Sequence, residues 1–444
     1  MKSKRAKIKA WGNYPVVDGT IHSPTSKADI ENWLGQTKSF IPAGNFRSYG
    51  DAALAEEVLW MRDFETTIQL NPSTGLLQVS AGVLLAEILD AIVTEGWFLP
   101  VTPGTKYITI GGAVAADIHG KNHHVDGCIS NFVASFDLLK TDGTVVRCSN
   151  NQNADLFWAT CGGMGLTGVI LHVQLQLIPI SSSYILKKTV ATNNLNETIQ
   201  ALEATEADKY SVAWFDAVAK GSQLGRGIVY SGRHATAEEL PAKLKRQPLH
   251  YSASQPFVVP FYFPGFALNP MSIKAFNWAY YGANKRKAGE SFEPINPFFY
   301  PLDKIRKWNR IYGRKGFLQY QCVIPRLQAA EGIRALMEEI RAQKGGSFLA
   351  VLKIMGPGQE RSPLHFPLEG LTLALDFSWN KDLLSFFRKL DAIVLKYGGR
   401  IYLAKDAALD RETFEACYPK AEAFGASYVR EGAIESLQWK RLQE

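Results

Sequence analysis

Between Pro100 and Asn131 the chain reads PVTPGTKYITIGGAVAADIHGKNHHVDGCISN, crowding glycine, threonine, lysine and histidine between two apolar regions. Gly104, Gly111 and Gly112 present no side chain that would block the backbone from a phosphate or a flat ring. Thr105, Thr109 and Lys121 add donors. Downstream, Asp117, His119, Gly120, Lys121, Asn122, His123 and His124 gather groups that titrate or hydrogen-bond. The chemistry this suits is capture of an anionic or aromatic ligand beside a group that moves a proton. A metal centre is a poor fit, because no acidic or cysteine partners fall at ligand spacing around the histidines.

Other stretches must help to position such a site. IPAGNFRSYGDAAL, from Ile41 to Leu54, reads as a strand end followed by a polar loop with one arginine, Arg47; backbone donors plus arginine suit a pyrophosphate, and a plain polar turn is the simpler alternative. Short strands are expected at Val58–Met61, Thr66–Leu70 and Leu76–Ser80. The apolar spacing of Leu85, Ile88, Leu89 and Ile92 predicts a helix that stops at Gly96. ASFDLLKTDGTVVRCS reads as a hairpin with Thr141, Asp142 and Gly143 at its tip. Gly162, Gly163, Gly165 and Gly168 then mark a tight passage into an alternating strand, Val169–Leu177, with another strand or a ligand in close approach.

A boundary is expected near Ser181–Ser183, after which YSVAWFDA forms a strand carrying Trp214. From Pro248 to Pro301 prolines alternate with aromatics, among them Phe257, Phe261, Phe266, Phe276 and Trp278, with Lys285, Arg286 and Lys287 between them. So broken a segment is not expected to be regular core; it suits either a surface touching lipid near anionic headgroups or a loop packed on its own domain. A helix-then-strand unit recurs in the last third. One helix, about Leu327 to Gln343, stops at Gly345 and Gly346 before SFLAVLK; another, Leu383 to Tyr397, stops at Gly398 and Gly399 before RIYLAK. Each unit delivers a lysine, Lys353 or Lys405, at an expected strand end. FLQYQCVIP places Gln319 and Gln321 on one strand face.

Composition bounds the rest. The 444 residues, 46% of them hydrophobic, can bury a large core and suggest two domains. Five scattered cysteines imply neither disulfides nor zinc. A net charge of +7 without a long basic run does not point to nucleic acid. The basic start is followed by Trp11, Gly12 and Asn13 where a cleaved signal peptide would need an apolar core, and no run of about 18 apolar residues forms a spanning helix. The expected location is cytoplasmic or peripheral at a membrane.

RSYGDAAL, VTPGTKYITIGGAVAADIHGKNHH, GGMGLTG, QYQCVIP, LKIMGPG and YLAKD together resemble the FAD-linked oxidases of the vanillyl-alcohol-oxidase type, over roughly Trp11 to Asp406. The resemblance implies an α+β protein: a two-lobed FAD-binding domain, with an inserted substrate domain built on an antiparallel sheet flanked by helices. The divisions expected are 1–182 and the return 400–444 for the FAD-binding part, and 183–399 for the substrate part. It implies flavin contacts from Arg47, Ser48, Tyr49, Gly50 and Asp51, from Gly104, Thr105, Gly111, Gly112, Gly120, Asn122 and His123, and from Gly165, Thr167 and Tyr402. Substrate contacts are implied for Lys121, Trp214, Tyr300, Gln319, Gln321 and Lys353, and catalytic roles for Lys405 and His119. No histidine lies between Ile41 and Leu54, where covalently flavinylated relatives attach the ring, so FAD is expected to be bound non-covalently.

The implied reaction is oxidation of the 2′-hydroxyl of a polyprenyl-phosphoryl ribose, the first half of an epimerisation to the arabinose form completed by an NAD(P)-dependent short-chain reductase partner. Peripheral membrane contact through residues 248–300 goes with that substrate. A soluble sugar-lactone or alditol oxidase of the same fold is the alternative, and a non-catalytic lipid-phosphate binder that keeps FAD is a remote one.

Overall fold

The computed structural model describes residues 1–265, 267–342, 347, 349–429 and 433–444. Strands and helices form an α+β arrangement that includes, among the described residues, one large sheet, two smaller ones and two short two-stranded pairs. In the first sheet Lys2–Lys9, Val16–Ser23, Glu57–Trp60 and Ile41–Ala43 lie in that spatial order, antiparallel at the start and parallel thereafter. The second is antiparallel, ordered Ile68–Leu70, Leu76–Ser80, Val169–Gln176, Val133–Leu139 and Val145–Cys148. The expected hairpin closes through Gly143, whose φ of 84° suits glycine; Asp142 Oδ1 there accepts from Thr144 N at 2.9 Å. The helix Leu85–Ile92 buries the stripe read from the sequence, tightens into a 3-10 turn at Val93–Glu95 and ends on left-handed Gly96.

The large sheet has eight antiparallel strands in the order Gly289–Pro294, Tyr184–Thr192, Gly227–His234, Tyr210–Phe215, Ala350–Met355, Gly370–Ser378, Phe317–Pro325 and Arg400–Ile401. Strand side chains alternate between faces, so register decides what each face offers. Leu318, Tyr320, Leu352, Leu373 and Leu375 share one face and pack with Leu202, Ile333, Leu336, Phe387 and Leu390 of the helices Leu195–Glu203, Ala329–Ala342 and Leu383–Lys396. On the other face the pairs Gln319↔Asp376, Gln321↔Ala374, Ala374↔Val351, Val351↔Trp214 and Thr372↔Lys353 run side by side. That polar face looks toward the two smaller sheets.

Three sequence expectations need correction. Lys353 lies inside the strand Ala350–Met355, not at its end, and Lys405 lies on a 3-10 turn, Leu403–Lys405. RIYLAK leaves the sheet after Ile401, because Tyr402 N donates to Gln321 O at 2.9 Å and the chain then turns so that Ala404 O accepts from Tyr49 N at 3.3 Å. The segment from Pro248 to Pro301 also holds a regular helix of 16 residues, Pro270–Lys285, whose N-cap Asn269 accepts from Met271 N and Ser272 N. Its prolines cluster before and after this helix, and Pro270 occupies the first turn, where its missing N–H costs nothing. The expected helix stop at Gln343, Gly345 and Gly346, together with Phe266, falls outside the described residues. Among the described residues no helix is long and apolar enough to cross a membrane.

After the large sheet the chain returns to its beginning. Ile434 bridges to Phe40, and Arg441 pairs with both Asp51 and Asp406.

Candidate active site

A cavity of about 570 Å³ opens between the polar face of the large sheet and the loops of the smaller sheets. Its walls bring together Arg47, Ser48, Tyr49, Gly104, Thr105, Gly112, His119, Gly120, Lys121, Gly165, Trp214, Gln319, Gln321, Lys353, Tyr402 and Lys405, which come from stretches spread over most of the chain. The Ile41–Leu54 loop sets Arg47 over the Trp11 ring at 3.8 Å. Tyr402 is anchored through its hydroxyl, which donates to Ala116 O at 2.7 Å.

At the centre lies a chain of polar contacts. Lys353 Nζ is 2.8 Å from His119 Nδ1 and donates to Gly120 O at 3.0 Å. Gln321 Nε2 is 3.1 Å from His119 Nε2 and donates to Thr372 Oγ1 at 3.1 Å, which donates in turn to Cys322 O at 2.9 Å. With the hydroxyl proton spent on Cys322, the amide assigned here donates to His119 Nε2 and leaves the imidazole proton on Nδ1. In its free-amine form Lys353 accepts that proton in a hydrogen bond. Burial, reinforced by the neighbouring Lys121, pulls the Lys353 ammonium down to about 7, and burial beside Lys353 holds the His119 imidazolium well below its ordinary range. The histidine is therefore neutral at pH 7, while the lysine divides there between ammonium and free amine.

Lys405 stands across the cavity with Nζ 4.1 Å from the Tyr49 ring centroid. Burial lowers it to about 8, while Asp376 partly opposes that shift. Asp376 accepts from Gln319 Nε2 at 2.6 Å and from the Tyr312 hydroxyl at 3.1 Å, so Gln319 is held toward the acid. Burial raises Asp376 to about 7. Lys121 Nζ donates to Phe299 O at 3.1 Å, and burial brings it down to about 8 against the attraction of Glu293.

Other residues singled out in the sequence stand behind the walls. The Asp51 carboxylate faces Arg441 at 2.8 Å, away from the cavity. A Cβ on Gly50 would meet Asp406 O at 1.6 Å, which fixes glycine at that crossing. Gly111 N donates to Ala81 O, Asn122 Nδ2 to Pro100 O at 2.7 Å, and His123 Nδ1 accepts from Gly356 N at 3.1 Å. Thr167 bonds Thr160 at 2.9 Å and Tyr300 bonds Thr102 at 2.6 Å. These residues shape the loops from the rear. His124 Nε2 reaches Asp208 O at 2.9 Å, and no cluster of metal-ligating side chains occurs among the described residues.

Sequence reading missed Asp376 and Asp303. Asp303 clamps the start of the Pro100–Asn131 stretch, accepting from Thr105 Oγ1 and Lys106 N, both at 2.9 Å. A carboxylate inside the apolar run LTLALDF was the available signal for Asp376, since an acid is rarely buried without a partner. Nothing comparable marks Asp303.

Residues 21–149 match the FAD binding domain family. The chain is 37% identical over 417 residues to the decaprenylphosphoryl-β-D-ribose oxidase of Mycolicibacterium smegmatis, covering 91% of this chain and 89% of that protein. It is 24% identical over 440 residues to the L-gulonolactone oxidase of Mus musculus, covering 91% and 89%. A shorter similarity, 25% over 112 residues, links it to the Delta(24)-sterol reductase of Homo sapiens, covering 25% and 22%. FAD is the cofactor these similarities bring, and the cavity fits it. Ser48 Oγ is buried on the cavity wall with no hydrogen-bonding partner among the described residues, and apart from its chain neighbours no described residue comes within 4 Å of the position of a Gly104 Cβ, so backbone there is open to a ligand.

Proposed function

Because the chain belongs to the decaprenylphosphoryl-β-D-ribose oxidase family of FAD-linked oxidases, we propose that it oxidises the 2′-hydroxyl of a polyprenyl-phosphoryl ribose to the 2-keto sugar. It is an FAD-dependent oxidoreductase acting on a sugar CH–OH group. The observation that carries the substrate reading is the 37% identity over 91% of the chain, joined to a cavity that unites Lys405, His119, Lys353 and Gln321.

FAD, held without a covalent bond by Arg47, Ser48, Tyr49, Gly104, Thr105, Gly112, Gly120, Gly165 and Tyr402, supplies the hydride acceptor. Lys405 contacts the reacting hydroxyl and takes its proton as a free amine, which its depressed pKa supports. His119 orients the ring or the sugar through its contacts to Lys353 and Gln321. Lys121, Trp214, Gln319, Gln321 and Lys353 line the sugar and phosphate path, with Tyr300 and Asn122 supporting from behind. Residues 1–182 and 400–444 form the FAD-binding unit and 183–399 the substrate unit. The 2-keto product passes to a nicotinamide-dependent reductase that completes the inversion.

A lipid-linked substrate calls for contact with a membrane, and the surface over residues 248–300 supports that. Phe257, Phe261, Met271 and Trp278 are 62–82% exposed there, beside the exposed cations Lys274, Lys285, Arg286 and Lys287. A water-soluble lactone as substrate is the second reading, favoured by the similarity to L-gulonolactone oxidase.

Anaerobic titration of the holoenzyme decides between them. Polyprenyl-phosphoryl ribose is expected to bleach the flavin absorbance stoichiometrically; bleaching by L-gulonolactone with none by the ribose compound would transfer the assignment to the second reading.

A further inference from the structure

We propose that the outer half of the cavity is a hydrocarbon track, in which the isoprenoid chain of the substrate lies between the large sheet and the helix Pro270–Lys285, against Val212, Trp214, Tyr230 and Tyr280. The inference rests on the reading of the substrate as a polyprenyl-phosphoryl ribose.

The floor of the track is one face of the large sheet. Register sets Gln321 beside Ala374, Ala374 beside Val351 and Val351 beside Trp214. It continues with Val212 beside Tyr230 and Tyr230 beside Thr189, two residues from Lys187. Lys187 in turn stands beside Ser291, two residues from Glu293. Gln321, Ala374, Val351, Trp214, Val212, Tyr230, Lys187 and Glu293 all line the cavity, which therefore follows the sheet across seven of its eight strands. Only the end that holds His119, Lys405 and Gln321 carries the chemistry.

Distance decides what fills the rest. The phosphate of a phosphoryl ribose hangs on C1, next to the reacting C2, so it stays within a few bonds of the reacting end. From the strand of Trp214 to that of Glu293 the floor runs on for three strand spacings, roughly 14 Å. Only the chain beyond the phosphate reaches that far.

The lining suits hydrocarbon. Lys187 Nζ pairs with Glu293 at 2.7 Å, and the Tyr230 hydroxyl bonds that of Tyr280 at 3.1 Å. Polar atoms here satisfy one another and leave mainly aromatic and aliphatic surface to a ligand. Val212, Tyr230 and Tyr280 are only half-buried, and covering such surface with an apolar chain is favourable. Pro297, Phe298 and Phe299 add a side wall.

The roof is fastened to the sheet. Asn277 Nδ2 donates to the buried Asp216 Oδ1 at 2.7 Å, and the Tyr281 hydroxyl donates to Thr192 O at 3.1 Å. Between these anchors Tyr280 sets its ring centroid 4.6 Å from that of Trp214 and 5.9 Å from that of Phe276, one turn back on the helix. Phe276 is 47% exposed. The stack thus leads from the sugar end to the helix whose Met271 and Trp278 stand exposed, and the chain leaves the protein where membrane contact is proposed.

The test is anaerobic stopped flow on the holoenzyme in detergent-free solution without vesicles, so that membrane contact contributes nothing. Bleaching is followed against the concentration of methyl-, geranyl- and farnesyl-phosphoryl ribose, which separates apparent Kd from limiting rate. Apparent Kd should fall by about tenfold or more from methyl to farnesyl, with far less change in limiting rate. Val212→Trp, whose added bulk enters the cavity that Val212 lines, should cut that advantage by about fivefold or more. Farnesyl-phosphoryl ribose with a terminal diazirine should label wild-type enzyme within 210–234, 270–285 or 295–299, and this label decides alone if Val212→Trp does not fold. Equal Kd values along the series, an advantage undiminished in Val212→Trp, or label outside those segments overturns the track and leaves the oxidase reading standing. If none of the three ribose compounds bleaches the flavin, the substrate reading falls and the track falls with it.

Discussion

Lys405 and Lys353 are two lysines of one cavity with different constraints. Lys353 is tied to His119 and Gly120, whereas Lys405 meets an aromatic face and its amine has no hydrogen-bonding partner among the described residues. That leaves Lys405 free to meet a substrate hydroxyl. Lys405→Ala should keep FAD bound, read as the yellow colour surviving gel filtration, and abolish bleaching by substrate. Unchanged bleaching would remove it from the mechanism. Because an ammonium accepts no proton, and burial lowers Lys405 to about 8, the bleaching rate should climb as pH rises through about 8 and level off above it. A rate independent of pH across that window would count against a lysine base. These residue types were legible in the sequence; their contacts were not. His119 lies 202 residues from Gln321 and 234 from Lys353, and no periodicity reports which distant strand will deliver its polar face to a loop. Asp376 was passed over because the run around it reads as plain core.

At the scale of elements, local rules worked where the local signal decided the outcome. The Leu85–Ile92 helix, the Gly143 hairpin and the alternating strand Val169–Gln176 have their turns and stripes written within a few residues of themselves. They gave the wrong form where tertiary contacts decided. YLAK looks extended, yet the chain turns there to meet Tyr49, and the Pro270–Lys285 helix was obscured by prolines that belong to its flanks. That helix has checkable energetics. Asn269→Ala removes the acceptor for Met271 N and Ser272 N and should cost about 1 kcal/mol of stability, seen as a lower thermal midpoint. Trp278→Glu places a charge on its most outward aromatic face, where Trp278 is 70% exposed. It should weaken co-sedimentation of the protein with anionic vesicles while the bound flavin spectrum stays as in the wild type; undiminished sedimentation would place the membrane contact elsewhere.

For the whole molecule, the decisive feature is the return of the last residues to the first sheet. Arg441 reaches both Asp51, in the Ile41–Leu54 loop, and Asp406, next to Lys405. Both carboxylates are buried, at 5% and 4% exposure, so deleting their shared cation leaves two charges unpaired. Arg441→Met should destabilise the fold by about 3 kcal/mol or more and release FAD at lower temperature than in wild type, measured by the rise of free-flavin fluorescence on heating. An unshifted release temperature would show that the loops stand without this clamp. The same geometry bears on how the protein is made. A ribosome delivers the Ile41–Leu54 loop almost four hundred residues ahead of the arginine that pairs with its Asp51, so a nascent chain carries that wall of the cavity before its fastening exists. Where that clamp is needed to hold the cofactor, FAD loads late in synthesis, and a translation product that stops short of Arg441 is expected to emerge colourless.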